Sequence, residues 1–319
     1  MSASTKLTIS GNPEFGIELV LMTPYVHYLH KNNQLNKVIT CHDMKPFYFF
    51  ADNVEEKFNH RTHNNNLAGL DRLPNNWLHH NCWSLFNKDY SDCSQDEQIK
   101  ANGVLDYSKW SPPNYKKYYQ DKFIDAPTKF VTILNRFNYE HGRSPTGFIR
   151  YGALKNIFTL LKSKGYDIVY HRPINSDFPN DEGEKDTLKD DLHIRDPKSQ
   201  QTDLELARET TGVFLLKDII NNADCSYNES QLRVFSKSSA FISIAGGVGI
   251  LGSYFQVPNI IYTTTGKEIR EGYFDEQSYY RKLSGAPIYP VIDKEKNIRD
   301  RGYNNYLQLI TTIDNVINH

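Results

Sequence analysis

The chain has 319 residues, a common length for two α/β domains of about 150 residues each. Its net charge of −1 excludes the strongly basic surface on which nucleic-acid binding depends. The four cysteines form no CxxC pair, no apolar run approaches about 18 residues, and the N-terminus lacks a signal-peptide pattern. We therefore expect a cytoplasmic protein with reduced thiols and no transmembrane segment.

The first fifty residues predict a β-α-β-β start. A strand over 6–10 is followed by a Gly-Asn-Pro break and a helix over 15–29 with apolar residues at helical spacing. A second strand covers 37–41, and we interpret the aromatic run 47–51 as a third. Residues 54–127 are weakly periodic, and we interpret them as the acceptor side of the N-terminal half.

A regular alternation of strands and helices returns at Lys129. We predict strands over 130–134, 167–170, 213–216, 240–244 and 259–262, and helices over 146–164, 227–236 and 305–317. This alternation is typical of a parallel sheet. The predicted fold class is α/β, with two Rossmann-like domains, 1–127 and 128–319, that face a cleft. The last helix is a candidate to cross back to the N-terminal domain.

The glycine-rich turn after strand 240–244 is the strongest local signal. Glycines let the backbone approach a phosphate, and free N–H groups favour the anion. Gly247, Gly249 and Gly252 form a GxGxxG pattern, and Glu268 lies about 20 residues further on, as in a dinucleotide-binding fingerprint. An NAD(P)-dependent or other nucleotide-binding Rossmann enzyme is therefore an alternative, although this fingerprint normally opens a nucleotide domain.

Two longer segments carry a family resemblance. Residues 228–268 run NESQLRVFSKSSAFISIAGGVGILGSYFQVPNIIYTTTGKE, and residues 11–29 run GNPEFGIELVLMTPYVHYL. They resemble the donor-binding region and the first loop and helix of GT-B glycosyltransferases that build bacterial capsules or the glycans of large DNA viruses. The resemblance implies a hexosyl- or pentosyltransferase that moves a sugar from a nucleotide-sugar donor to a glycan or other hydroxyl acceptor. A viral enzyme of this kind would act in the host cytoplasm.

The resemblance also implies roles for single residues. Backbone N–H groups of Gly246, Gly247 and Val248 would meet the donor diphosphate. Asn135 and Arg136 would reach the same phosphates, and an arginine fork suits a phosphate that becomes a leaving group. The other donor-binding candidates lie at strand ends, helix starts and a late loop: His171, Arg172, Lys217, Asn228, Gln231 and Glu268.

An inverting transfer also needs a base that takes the proton of the acceptor hydroxyl. In the GT-B arrangement this base comes from the N-terminal half. Our candidates are Glu18 first, then Glu14, with Asp43 beside them and Asp52 next. Glu14 and Glu18 would equally complement the dipole at the start of their helix, and a retaining reaction would need no such base.

We expect no metal and no cofactor beyond the nucleotide-sugar, which is a substrate. The group His60, His63, His79, His80 and Cys82 fits no common zinc spacing. The chain also lacks the DxD triplet that holds a metal in GT-A enzymes. The expected partners are the sugar donor and a glycan acceptor. A non-catalytic sugar-binding α/β protein is the third alternative, and the sequence leaves the sugar, the nucleotide and the oligomeric state open.

Overall fold

A computed structural model describes most of the chain. The described residues are 6–62, 86–88, 92–97, 107–137, 147–174, 193–264, 273–276, 278–293 and 306–317. They form an α/β fold with two separate sheets, in which every strand pairing is parallel. None of the helices in these segments has the length and apolar character needed to cross a membrane.

In the part of the N-terminal half that the structure describes, the sheet has three strands in the order β1-β2-β3. These strands are β1 (Leu7–Ser10), β2 (Leu35–Cys41) and β3 (Val54–Phe58). The connection from β1 to β2 is one helical stretch in three parts: α1 (Phe15–Ile17), a π-helical turn (Glu18–Met22) and α2 (Thr23–Lys31). The apolar spacing of residues 15–29 predicts this helix correctly.

The aromatic run 47–51 does not form the predicted strand. Pro46 lies in the first turn of a 3-10 helix, Lys45–Tyr48, where its missing N–H group costs nothing. Phe47 and Tyr48 are fully buried in the core. The third strand is β3, which carries charged side chains and pairs only with β2 among the described strands. Charged residues are common on such edge strands because they discourage pairing with other chains.

The described segments of the C-terminal half form a sheet of six strands in the order β6-β5-β4-β7-β8-β9. These strands are β4 (Phe130–Leu134), β5 (Asp167–His171), β6 (Val213–Leu215), β7 (Phe241–Ile244), β8 (Asn259–Thr264) and β9 (Ile288–Asp293). Counted from β4, the order is 3-2-1-4-5-6, which is the order of the Rossmann fold. The order reverses between β4 and β7, and open α/β sheets bind ligands outside the carboxyl ends of the strands at such a point.

The remaining helices surround this sheet or join the two sheets. They are α3 (Tyr115–Tyr119), α4 (Tyr151–Ser163), α5 (Asp203–Glu209), α6 (Leu216–Asn221), α7 (Tyr227–Lys237), α8 (Gly247–Gly252), α9 (Tyr279–Lys282) and α10 (Leu307–Val316). A 3-10 helix also covers Tyr107–Lys109. Ser226 caps α7 through the backbone N–H of Glu229, and a capping box between Thr202 and Glu205 begins α5.

The described residues form two hydrophobic core clusters. One cluster joins the N-terminal sheet to one face of the C-terminal sheet, so that Val38 of β2 and Phe241 of β7 belong to the same core. Within it the Tyr254 hydroxyl donates to the Leu19 carbonyl oxygen, and the rings of Tyr115 and Tyr254 lie 4.9 Å apart. The other cluster lies on the opposite face of the C-terminal sheet, beneath α4 and α10.

Helix α10 packs within the C-terminal half and does not cross back to the N-terminal half. It contacts α4, β8 and β9, and its Leu309 and Ile313 are fully buried there. The expectation that this last helix returns to the first sheet is therefore wrong. The domain boundary between residues 127 and 128 falls between the two sheets and stays a prediction.

Helix α8 packs so closely on β7 that we expect a substitution at Gly249 to destabilise the fold. A Cβ atom at Gly249 would lie 2.6 Å from the carbonyl oxygen of Ile244, whereas a Cβ atom at Gly16 would meet mainly the flexible end of Ile250 at 3.3 Å. Gly249→Ala should lower the free energy of unfolding by about 1–3 kcal/mol, as overpacking does, and Gly16→Ala should lower it less. Urea denaturation measures both, and equal stability of the two variants would contradict this packing.

Candidate functional site

A cavity of about 440 Å³ lies at the carboxyl ends of both sheets. The residues from the N-terminal half that line it are Glu14, Phe15, Gly16, Cys41, His42, Asp43, Met44, Glu56, Asn59, His60 and Arg61. Those from the C-terminal half are Arg136, His171, Pro173, Ser226, Tyr227, Asn228, Gln231, Gly247, Val248 and Leu251. Because both sheets contribute strand-end residues, a ligand in this cavity would contact both halves of the chain.

The C-terminal wall is built at the point where the strand order reverses. Arg136 follows β4, and Gly246 follows β7 with a positive φ of 115° that favours glycine. A Cβ atom at Gly246 would lie 3.9 Å from Nη1 of Arg136, so the guanidinium lies beside the glycine turn. His171, at the end of the neighbouring strand β5, is buried and also borders the cavity. This wall therefore offers a guanidinium and an open backbone to an anion.

The three glycines of the GxGxxG pattern have different surroundings. Only Gly247 borders the cavity, and a Cβ atom there would also meet Phe15 of α1 at 3.2 Å. Gly249 packs against the Ile244 carbonyl, and a Cβ atom at Gly252 would meet Asn259 at 3.2 Å. The pattern also follows the fourth strand of the Rossmann order, whereas a dinucleotide fingerprint follows the first. Both observations weigh against the dinucleotide-binding alternative.

The N-terminal wall carries two of the proposed bases. Glu14 is exposed and is the N-cap residue of α1. Asp43 follows β2 in the left-handed backbone region, with φ of 59°. Its Oδ2 accepts the backbone N–H of Asn228 at 2.8 Å, and the Asn228 side-chain amide donates to the Asp43 carbonyl at 2.7 Å. Asp43 and Asn228 thus connect β2 with the start of α7, and both border the cavity.

Burial raises the pKa of the Asp43 carboxyl group above its ordinary value. Hydrogen bonds from Ser226 and Asn228 act in the opposite direction, and the negative charges of Glu56 and Glu229 add to the increase. The direction shows that the loss of water outweighs the helix-start hydrogen bonds at this carboxylate. A carboxyl group with a raised pKa is a stronger base when ionised, which suits proton transfer.

Glu18 is fully buried and is not among the residues that line the cavity. Its Oε1 accepts hydrogen bonds from Tyr48 at 2.7 Å and Thr40 at 2.5 Å, and its Oε2 lies 2.6 Å from Nη1 of Arg61. Arg61 also donates to the Pro13 carbonyl at 2.8 Å. This is the geometry of a structural ion pair that fixes the π-helical turn. It does not fit a catalytic base, although Glu18 is the first candidate for the base in the sequence analysis.

Three predicted donor-binding side chains also do not line the cavity, and neither does Gly246, although its neighbour Gly247 does. Asn135 is buried, and its Oδ1 accepts the backbone N–H groups of Arg136 at 3.1 Å and Ile149 at 2.9 Å, so it shapes the turn that carries Arg136. The buried Arg172 has its Nε 2.8 Å from Oδ2 of Asp203. Lys217 lies in the first turn of α6 and not in a strand-end loop. Glu268, His63, His79, His80 and Cys82 lie outside the described residues.

Several lining residues are absent from the sequence predictions. His42 comes directly after β2, and its neighbour Asp43 marks that strand end correctly. Glu56, His60 and Arg61 belong to β3 or follow it, and the assignment of a strand to 47–51 hid this strand end. A search for charged residues at the end of a short polar strand would have found them.

Comparison with known proteins finds no matching family model and no matching curated protein. Among solved structures, the chain is similar to a family 9 glycosyl transferase from Veillonella parvula DSM 2008, with 10% identity, a TM-score of 0.44 and coverage of 99% of this chain and 90% of that one. It is also similar to two variants of the wall teichoic acid polymerase TagF, with 11% and 12% identity and TM-scores of 0.28 and 0.31. The chain covers 51% and 64% of those two polymerase chains, which cover 91% and 89% of this one. At similarities this low, the activity has to be inferred from the cavity itself.

The burial of Glu18 predicts a large stability cost for its removal. Glu18→Ala would leave Arg61 buried without its carboxylate, which typically costs about 3–5 kcal/mol of unfolding free energy. Glu55→Ala is the matched control, because Glu55 pairs with Lys37 on the surface, where water screens the charges and removal of such a pair costs little. Urea denaturation of the two variants makes the comparison, and a similar small loss in both would contradict a structural role for Glu18.

The raised pKa of Asp43 predicts a specific pH dependence of stability. In the folded chain the Asp43 carboxyl group keeps its proton at pH values above its ordinary pKa of 3.8. The free energy of unfolding therefore falls as the pH rises from 3.8 through the raised pKa. Asp43→Asn removes this contribution and keeps an oxygen that accepts the Asn228 N–H. The unfolding free energy of the variant, relative to that of the parent chain, should therefore rise with pH and then level off. Urea denaturation from about pH 4 to 7 measures the trend, and parallel curves would contradict it.

Proposed function

We propose that the chain is a glycosyltransferase that moves a sugar from a nucleotide-sugar donor to a glycan or other hydroxyl acceptor. The observation that supports this proposal is the cavity at the carboxyl ends of both sheets. It has Arg136 and a glycine turn on one wall and the carboxylates of Glu14 and Asp43 on the other. The first wall suits a diphosphate leaving group, and the second suits a base. We further propose that residues 1–127 and 128–319 are the two domains of a GT-B arrangement.

The donor diphosphate would bind between the ends of β4 and β7. Arg136 would hold its charge, and the backbone of Gly246, Gly247 and Val248 would approach its oxygens. β5 lies beside β4 on the side away from β7, so His171 is one strand further along. Two strand spacings amount to about 10 Å, which accommodates a nucleoside on the β5 side of the phosphates. Asn135 acts here by shaping the Arg136 turn.

Glu14 is the base that the geometry favours in an inverting reaction. It precedes Phe15, whose ring would be in tight contact with a side chain at Gly247, so its backbone is near the glycine turn. Its side chain is exposed and borders the cavity. The acceptor oxygen would bond to the anomeric carbon while its proton passes to Glu14. The bond from that carbon to the phosphate oxygen would break, and its electron pair would leave with the diphosphate.

The positive charge that stabilises the leaving diphosphate is provided by Arg136 in this proposal, and the reaction is metal-independent. A preorganised cation beside a developing negative charge lowers the barrier because it needs no rearrangement during the reaction. The raised pKa of Asp43 makes it the second candidate for the base. The Asp43 carboxylate already accepts a hydrogen bond from the backbone N–H of Asn228, and this bond holds Asp43 beside the first turn of α7.

Removal of the Arg136 guanidinium should weaken binding of a nucleoside diphosphate. Charged hydrogen bonds contribute about 1.5–3 kcal/mol, so the Kd of the best ligand among UDP, GDP, CMP and NAD should rise about tenfold or more in Arg136→Ala. Arg208→Ala is the matched control, because Arg208 is exposed on α5 and lies away from the cavity. Isothermal titration calorimetry gives both constants. Equal affinity of Arg136→Ala and the parent chain would contradict the phosphate assignment, and NAD as the best ligand would favour the dinucleotide alternative.

Loss of the Glu14 carboxylate should slow sugar transfer without weakening binding of the donor. General-base catalysis contributes about 10²–10⁴-fold, so kcat of Glu14→Gln should fall by that factor while donor affinity changes less than about twofold. The assay measures release of the nucleoside diphosphate in the presence of an acceptor glycan. Asp43→Asn is measured in the same assay. If kcat falls in Asp43→Asn and not in Glu14→Gln, Asp43 is the base. A loss of less than about tenfold in both variants would contradict a base on this wall.

A further inference from the structure

Gln231 is a buried amide whose hydrogen-bonding groups are still available. It lies in the second turn of α7, is 5% exposed and borders the cavity. Its side chain makes no hydrogen bond to any other residue in the described segments. Asn228, one turn earlier on the same helix, differs in this respect because its side-chain amide is held by Asp43 at 2.7 Å. Of these two amides on the α7 wall, the one of Gln231 is left to meet a ligand.

The amide nitrogen and oxygen of Gln231 reach the cavity, because neither is among the fully buried polar atoms without a partner in the described segments. A ligand that displaces water from these two atoms has to replace the lost hydrogen bonds, since buried polar groups in folded proteins are nearly always bonded. The carboxamide offers one acceptor oxygen and two N–H donors within a small space. A ligand group that presents a donor beside an acceptor would satisfy it.

The position of Gln231 indicates which part of the donor it meets. Helix α7 packs against α6, and α6 covers β5 and β6. His171 and Pro173, which end and follow β5, border the same cavity as Gln231. β5 lies on the side of β4 away from β7, so His171 and Pro173 mark the nucleoside side of the proposed donor site. We place Gln231 on this side because α7 contacts the helix that covers β5.

We infer that Gln231 recognises the nucleobase of the donor and so determines which nucleoside diphosphate the cavity accepts; this inference rests on the proposed function. Every nucleobase presents a donor beside an acceptor. Uracil and guanine have a ring N–H beside a carbonyl, whereas adenine and cytosine have an amino group beside a ring nitrogen. A carboxamide fixed in one orientation pairs with one of these patterns and leaves the other unsatisfied.

The test compares nucleotides with inorganic pyrophosphate, which lacks the base. Calorimetry with UDP, GDP, ADP, CDP and pyrophosphate would be run on the parent chain, Gln231→Met, Gln231→Glu and Gln308→Met. Gln231→Met should weaken binding of the preferred nucleoside diphosphate about tenfold or more. The Kd values of the four nucleotides should therefore become more similar to one another. Pyrophosphate affinity should change less than about twofold in every variant. Gln308 is exposed on α10, so Gln308→Met should match the parent chain.

Gln231→Glu keeps hydrogen-bond acceptors at this position and loses the N–H donors, so it should change the affinities of the four nucleotides unequally. This variant tests base recognition if Gln231→Met does not fold. If these variants weaken binding of pyrophosphate and of the nucleotides equally, base recognition is overturned. Unchanged nucleotide binding would overturn it too, because water would then satisfy the amide. Either result leaves the proposed function standing. Failure of the parent chain to bind any nucleoside diphosphate would overturn the proposed function as well.

Discussion

The arrangement of the cavity depends on the close contact between α1 and α8. Gly16 and Gly247 face each other there, and a Cβ atom at Gly16 would lie 3.7 Å from the Cα atom of Gly247. Glycine at both positions lets the two helices approach almost backbone to backbone. Glu18, in the π-helical turn that continues α1, pairs with Arg61, which follows β3, and this ion pair fixes the turn behind the contact. A bulky side chain at either glycine would separate the wall that carries Glu14 from the wall that carries Arg136.

The C-terminal sheet could be predicted from the sequence because its central strands are buried on both faces. Such strands read as continuous apolar runs, and β4, β5, β7 and β8 were found within a few residues of their observed bounds. β3 was missed because three of the five residues in its sequence, VEEKF, are charged, while the aromatic run before it has the composition of a strand. Local pattern describes burial on the strand itself and carries no information on which sheet edge a polar segment joins.

The candidate site could be predicted only in part, for a related reason. Arg136 was identified through the resemblance to GT-B glycosyltransferases and Asp43 as a carboxylate of the N-terminal half, and both follow buried strands whose ends meet at one edge of a parallel sheet. The roles of Glu18 and Arg172 depend on Arg61 and Asp203, which lie 43 and 31 residues away in the chain. A sequence without its fold does not reveal such pairings. A charged residue held in a core ion pair, such as Glu18, and one that reaches the cavity, such as Arg136, therefore look alike at the level of sequence.

The hydrophobic cluster that joins the two sheets bears on how the molecule folds and moves. Among the described residues, one apolar face of each half packs against the other half, with Val38 and Phe241 in the same core. A large apolar interface of this kind restricts hinge motion and couples the unfolding of both halves. The two sheets, although separate in topology, would behave as one cooperative unit, and neither would be exchanged between proteins as an independent module. Access of a ligand to the cavity would then depend on local movements of its rim and not on opening of the whole molecule.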